Sequence, residues 1–448
     1  MRFDPQSTLF AILSFEGPDV YSQAGGLGVR AKELSRALAQ LGFETHLFFV
    51  GDPEGAAEEQ LVEGRLTLHR WSQWLSAGYR GGVYEGEQEK IHDWNLSLPR
   101  YLVEKVLAPA IERGLKTVVL GEEWQTARSM NLVSDILYYR GLRHRAVMLW
   151  NANNLFGFDR IDWAALQFVT TLTTVSRYMK HRMWELALNP IVIPNGIPPD
   201  AVVEVPAATR QALKKAAGSD LLLFKIGRFD PGKGWTTAMT AVGLLKRAGI
   251  STRLLIRGGR EAHGADVLAH AADHGLVVED VVSPRDAEGL AAVIRSHPKA
   301  DVLNLVTFLP DALVRAIYPS VDAVLANSAH EPFGLVGLEV MAGGGLAVTG
   351  STGEDYAEPY RNALVMETQD PRELVAGLRL VKEQPGLSEQ LRQRGRATAL
   401  DFLWDRVIEQ LLHRLELAAS RQGVALESDG ALKPSLARRR KGGRAGVC

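Results

Sequence analysis

Residues 8–50 read TLFAILSFEGPDVYSQAGGLGVRAKELSRALAQLGFETHLFFV. TLFAILSF is a short apolar run of strand length, and SQAGGLG after it is a glycine-rich turn. VRAKELSRALAQLG then places Val29, Leu34, Ala37, Leu38 and Leu41 near helical spacing, which predicts a helix. Gly42 stands where a left-handed C-cap is wanted, and ETHLFFV resumes as a strand. Strand, loop, helix and strand in this order form a right-handed βαβ crossover on a parallel sheet. Short apolar runs recur at TVVL (117–120), AVMLW (146–150), TLTTV (171–175) and PIVIP (190–194). The proline-rich stretch PNGIPPDAVVEVP (194–206) suits neither helix nor sheet interior and marks a boundary. Beyond it the alternation restarts at LLLFKI (221–226), TRLLIRG (252–258), DVLNLVTF (301–308), DAVLAN (322–327) and LAVTG (346–350). The predicted class is α/β, with two doubly wound Rossmann-like domains over residues 1–196 and 197–399 and a cleft between them.

With 448 residues, 46% hydrophobic and 23% charged, the chain can bury more than one core. A net charge of -1 provides no broad basic field, so neither nucleic acid nor an anionic membrane is expected as the main partner. Cys448 is the single cysteine and excludes an intramolecular disulfide, which fits a cytoplasmic location. The first apolar run is too short for a membrane span and lacks the flanks of a signal peptide. Residues 421–448 end in KPSLARRRKGGRAGVC, basic and free of acids, and are expected to be a disordered tail.

Ligands of open α/β sheets lie at the carboxyl ends of strands, and four loops there are unusual. Gly25, Gly26 and Gly28 let backbone N–H groups approach an anion at a helix N-terminus, although the spacing is not that of a dinucleotide fingerprint. KIGRFDPGKGW (225–235) sets Arg228 and Lys233 on one glycine-rich loop, a planar fork and a point charge suited to a diphosphate without a divalent metal. IRGGRE (256–261) offers Gly258 for close backbone approach to a nucleotide. HEPFGLVGLEVMAGG (330–344) carries Glu331 before a helix expected to start near Phe333, with Gly334 and Leu335 presenting free N–H groups. Glu339 lies within that helix among apolar neighbours and needs a partner.

In this order, GGLG, GRFDPGKGW and the two glutamates resemble the retaining nucleotide-sugar glycosyltransferases of the GT-B fold. Family 4 and the bacterial glycogen and starch synthases are the nearest likeness, over roughly residues 8–415. The resemblance implies that Arg228 and Lys233 hold the donor diphosphate, Glu331 meets the transferred sugar, Glu339 bonds the ribose, and Gly334 and Leu335 donate to the phosphates. GEEWQTA (121–127) and LWNANNLFGF (149–158) are similar to acceptor-domain segments of the family. Asn153 stands where that family has a histidine, Glu123 and Gln125 replace Asp and His, and Gln23 replaces a lysine of the synthases. The family also implies that a C-terminal helix near 400–420 crosses back to the first domain. The function so implied is hexosyl, first of all glucosyl, transfer from a nucleotide-diphosphate sugar to a saccharide or glucan, with no cofactor or metal. Two other functions remain open at this point, a sugar-nucleotide epimerase and a non-catalytic, transferase-like scaffold.

Overall fold

The computed structural model describes residues 3–202 and 204–424, and the predicted basic tail falls almost wholly outside them. The first eight strands are β1 (Thr8–Leu13), β2 (Glu44–Val50), β3 (Glu58–Leu61), β4 (Leu66–Trp71), β5 (Lys116–Glu122), β6 (Ala146–Ala152), β7 (Thr171–Thr174) and β8 (Ile191–Val192). They form one sheet in the order β3-β4-β2-β1-β5-β6-β7-β8, parallel except for the β3–β4 pair. Seven further strands are β9 (Leu221–Ile226), β10 (Thr252–Arg257), β11 (Val278–Val281), β12 (Val302–Leu305), β13 (Ala323–Ala326), β14 (Ala347–Thr349) and β15 (Leu364–Val365). Their order is β11-β12-β10-β9-β13-β14-β15, parallel throughout. Helices cover both faces of each sheet, so the central strands are buried along their whole length. Every residue of β1 and β6 is buried, which is why these strands read as continuous apolar runs rather than as alternation.

Strand order reverses next to β1 in the first sheet, where β2 lies on one side and β5 on the other. In the second sheet it reverses at β9, flanked by β10 and β13. Such switch points leave a crevice at the carboxyl ends of the strands. Those ends are Ser14–Gly28 and Glu123–Trp124 in the first domain, and Gly227–Lys233 and Asn327–Gly334 in the second.

The last helix, Trp404–Arg421, belongs to the core of the first domain rather than the second. Its apolar stripe of Val407, Ile408, Leu411, Leu415 and Ala418 packs with Leu34, Leu38, Leu120 and Leu149. Ile197 and Leu403 pair as two adjacent crossing segments, with Ile197 N–H to Phe402 O at 2.9 Å and Trp404 N–H to Ile197 O at 3.1 Å. Gly196 is the residue that permits this, because a Cβ there would lie 2.5 Å from the Trp404 ring. At the far end of the helix the Gln422 amide donates to Met148 O at 2.8 Å and accepts from Met148 N–H at 3.0 Å. Across the domains, the Asp355 carboxylate accepts from Arg177 N–H at 2.7 Å and so faces the start of the Arg177–Trp184 helix.

Candidate functional site

An open cleft of about 830 Å³ lies where the carboxyl ends of the two sheets face each other. Its second-domain wall includes Lys225, Arg228, Lys233, Glu331, Gly334 and Leu335, and its first-domain wall includes Glu16, Gly25, Gly26, Tyr84, Asn153 and Phe156. Of the residues singled out in the sequence, Arg228, Lys233, Glu331, Asn153, Gly25, Gly26, Gly334 and Leu335 therefore meet around one space.

The second-domain wall is built from two loops that are stitched together. Ala329 N–H donates to Gly232 O at 2.8 Å, and the Asn327 side-chain amide donates to Gly234 O at 3.1 Å. Gly234 has φ of +65° and a Cβ on it would fall 2.1 Å from Asn327 O, so no other residue fits this approach. The stitching brings Lys233 Nζ to 2.5 Å from Glu331 Oε2, joining the two motifs across 98 residues of chain. Arg228 is exposed beside them, and its guanidinium meets no carboxylate among the described residues. The following helix is Leu335–Ala342, two residues later than expected, because Gly334 takes the left-handed N-cap conformation with φ of +79°. Its first N–H groups open on the cleft with no side-chain cap.

Three of the expected features are placed differently from the others. The N–H groups of the glycine turn already hold an anion, the protein's own Glu16. One oxygen of that carboxylate accepts from Ala24 at 3.1 Å, Gly25 at 2.8 Å and Gly28 at 3.1 Å, and the other accepts from Tyr84 Oη at 2.6 Å. Gly25 and Gly28 thus present no free donors here, and Gly28 is outside the cleft lining. Gly258 is also outside it: a Cβ there would lie 1.9 Å from the Phe229 ring, so packing explains the glycine. Glu339 is half-buried and absent from the lining, its carboxylate accepting from Tyr318 Oη at 3.2 Å. The apolar surroundings of Glu339 push its pKa up to about 7.

Beneath the first-domain wall lies a closed polar network that joins GEEWQTA and LWNANNLFGF to the distant Arg30 and Asn195. Glu122 at the end of β5 accepts from Arg30 Nε at 3.0 Å, from Asn151 at 2.9 Å and from the Asn153 side chain at 2.7 Å. Arg30 also donates to Asn195 at 2.6 Å. One N–H of the Asn153 side-chain amide, at the position where the resembled family has a histidine, is thus taken by Glu122. Glu123 follows with φ of 66° and ψ of 167°, a region that side-chain-bearing residues seldom occupy. Its conformation is fixed by Trp150 Nε1 donating to its carbonyl at 3.0 Å and by the backbone N–H of Asn153 donating to its carboxylate at 2.5 Å. Burial, reinforced by the neighbouring Glu122, pushes the Glu123 pKa up to about 8. On the second domain, Glu354 is buried beside Gly334 and its pKa is pushed up to about 8, chiefly by desolvation and then by Glu331.

Superposition with solved structures finds the same two-domain arrangement over almost the whole chain. Sucrose-phosphate synthase from Thermosynechococcus elongatus aligns with a TM-score of 0.64 at 19% identity, covering 92% of this chain and 100% of that one. The catalytic domain of starch synthase IV from Arabidopsis thaliana, bound to ADP and acarbose, aligns with a TM-score of 0.66 at 17% identity over 93% and 100%. The fold is GT-B. An α,α-trehalose-phosphate synthase (UDP-forming) from Burkholderia xenovorans, in complex with glucose-6-phosphate, aligns with a TM-score of 0.63 at 13% identity over 91% and 100%. Residues 208–398, the body of the second domain, match the family model "Glycosyl transferases group 1". Against curated proteins the sequence finds no match. Among the described residues no helix is long and apolar enough to cross a membrane.

Proposed function

We propose that this protein is a retaining glycosyltransferase that moves a hexosyl group from a nucleotide-diphosphate sugar to a saccharide acceptor. The observation that carries this reading is the Lys233–Glu331 pair at 2.5 Å, set beside Arg228, which meets no carboxylate among the described residues, and the uncapped helix start at Leu335 in one interdomain cleft. Departure of a nucleoside diphosphate leaves negative charge on phosphate oxygens and positive charge on the anomeric carbon. Arg228, Lys233 and the Leu335 N–H group supply positive charge fixed in place before reaction, and Glu331 supplies an acceptor for sugar hydroxyls. Their charges make a divalent metal unnecessary for the diphosphate in this mechanism. Retention follows if the acceptor hydroxyl attacks from the face the diphosphate leaves, giving its proton to a phosphate oxygen. The starch synthase IV structure holds ADP, and the trehalose-phosphate synthase forms UDP, so a nucleoside diphosphate is the common element among these fold relatives.

The test is a transfer assay with UDP-glucose, ADP-glucose and GDP-mannose against a panel of mono- and oligosaccharide acceptors, followed by NMR of the new linkage. Acceptor-dependent release of nucleoside diphosphate with an unchanged anomeric configuration supports the proposal. Epimer formed without acceptor, or nucleotide binding with no turnover, would replace it by the epimerase or scaffold function.

A further inference from the structure

Lys225 lies inside the apolar run LLLFKI, yet it reaches the cleft from the end of β9. The residue is only 2% exposed, and its ammonium donates to Leu325 O at 2.9 Å and to Asn327 Oδ1 at 2.7 Å. A third contact is the Trp235 ring, whose centroid is 5.0 Å from Nζ. None of these partners is charged. The charged groups that act on it are Lys233 from the loop after β9, which repels it, and Glu331 from the loop after β13, which attracts it. Because Glu331 is already bound to Lys233, the buried ammonium has no carboxylate of its own. A cation in that state is costly to desolvate, and a ligand anion at the same wall would supply the missing counter-charge.

We propose that Lys225 is a third cation of the donor diphosphate site, a positioning residue that holds Asn327 and the Gly232–Gly234 turn in place and whose missing counter-charge is a bound diphosphate. This rests on the proposed donor site, and it adds the first residue of KIGRFDPGKGW, at the strand end, to the two cations of that loop, Arg228 and Lys233. Burial and Lys233 pull its pKa down to about 7, with Glu331 opposing. An incoming dianion favours the charged form and raises that pKa. The sign follows: the free protein above neutrality must take up a proton to bind, so affinity falls as pH rises.

The experiment is isothermal calorimetry of UDP, ADP and inorganic pyrophosphate with the full chain at pH 7, 8 and 9, each in two buffers of different ionisation enthalpy. Wild type is expected to show net proton uptake at pH 8 and roughly a tenfold weaker Kd at pH 9 than at pH 7. Lys225→Met is expected to lose most of the uptake and to have a flatter pH profile. Lys225→Arg, which keeps a charge that does not titrate, is expected to bind at pH 9 better than Lys225→Met, again with reduced uptake. Weaker binding by equal factors at every pH, with uptake unchanged in both variants, would assign Lys225 a merely structural part and overturn the proposal. Failure of wild type to bind any of the three ligands would overturn the donor site itself, and this inference with it.

Discussion

The two walls of the cleft carry similar numbers of polar groups but spend them differently. On the second domain, Arg228 meets no carboxylate among the described residues, the Leu335 helix start is uncapped, and Lys233 and Glu331 hold each other half-buried in the cleft. On the first domain, Glu16 fills the glycine turn and Glu122 is enclosed by Arg30, Asn151 and Asn153. One wall leaves charged groups open on the cleft, and the other uses them to fix its own shape. Groups of the first kind should govern activity with little effect on folding. Groups of the second kind should govern folding as well.

The largest effect expected is on transfer. Glu331→Ala or Lys233→Ala should lower kcat/KM by about 10²- to 10³-fold, the scale for losing one preorganised electrostatic group, while the thermal midpoint and circular dichroism stay near wild type. Near-normal turnover in either variant would dissolve the distinction between the walls. The converse variant is Arg30→Met, which leaves buried Glu122 without its cation. It should cost about 3 kcal/mol or more in urea unfolding, because removing one partner strands a buried charge. A loss below about 1 kcal/mol would mean that Asn151 and Asn153 suffice to hold Glu122.

A smaller effect is the pH dependence of stability. Glu354, like Glu123, is a carboxyl group whose folded pKa of about 8 lies above its ordinary value of 4.5. Between those values the folded state binds more protons than the unfolded one, so this contribution is full below the lower value and is lost as pH rises toward 8. Glu354→Gln should flatten that decline in urea titrations from pH 5 to 8.5. A decline as steep as that of wild type would show that Glu354 is ionised in the fold. The smallest effect is that of EDTA, which should leave the transfer rate unchanged; loss of activity restored by Mg²⁺ would show that the cations on the second domain are insufficient.

Much of the fold was legible in the sequence because buried parallel strands are apolar throughout. The strand EEQL, which is β3, carries no such signal: it is an exposed antiparallel edge reached through a turn at Val62 and Glu63, both with positive φ. The edge strand VEDV, which is β11, was missed for the same reason. The second-domain wall was readable because each of its motifs is local, Arg228 with Lys233 and Glu331 with Gly334. Lys225 ends an apolar run and opens KIGRFDPGKGW, and the role proposed for it comes from its burial, which spacing does not report. Glu16 acts on Gly25 and Gly28 only after the chain turns back on itself, and Glu122 meets Arg30 across 92 residues. Gly258 misled because close packing on Phe229 and close approach to a ligand demand the same residue.

In the function proposed above, Lys233 and Glu331 form the heart of a donor-sugar site. This assignment is tested most directly by NMR-monitored single turnover of nucleotide-diphosphate hexoses with wild type, Lys233→Ala and Glu331→Ala. Wild type is expected to transfer the hexosyl group to an added saccharide with retained configuration, and both folded variants to lose that product. Equal product from all three proteins would contradict it.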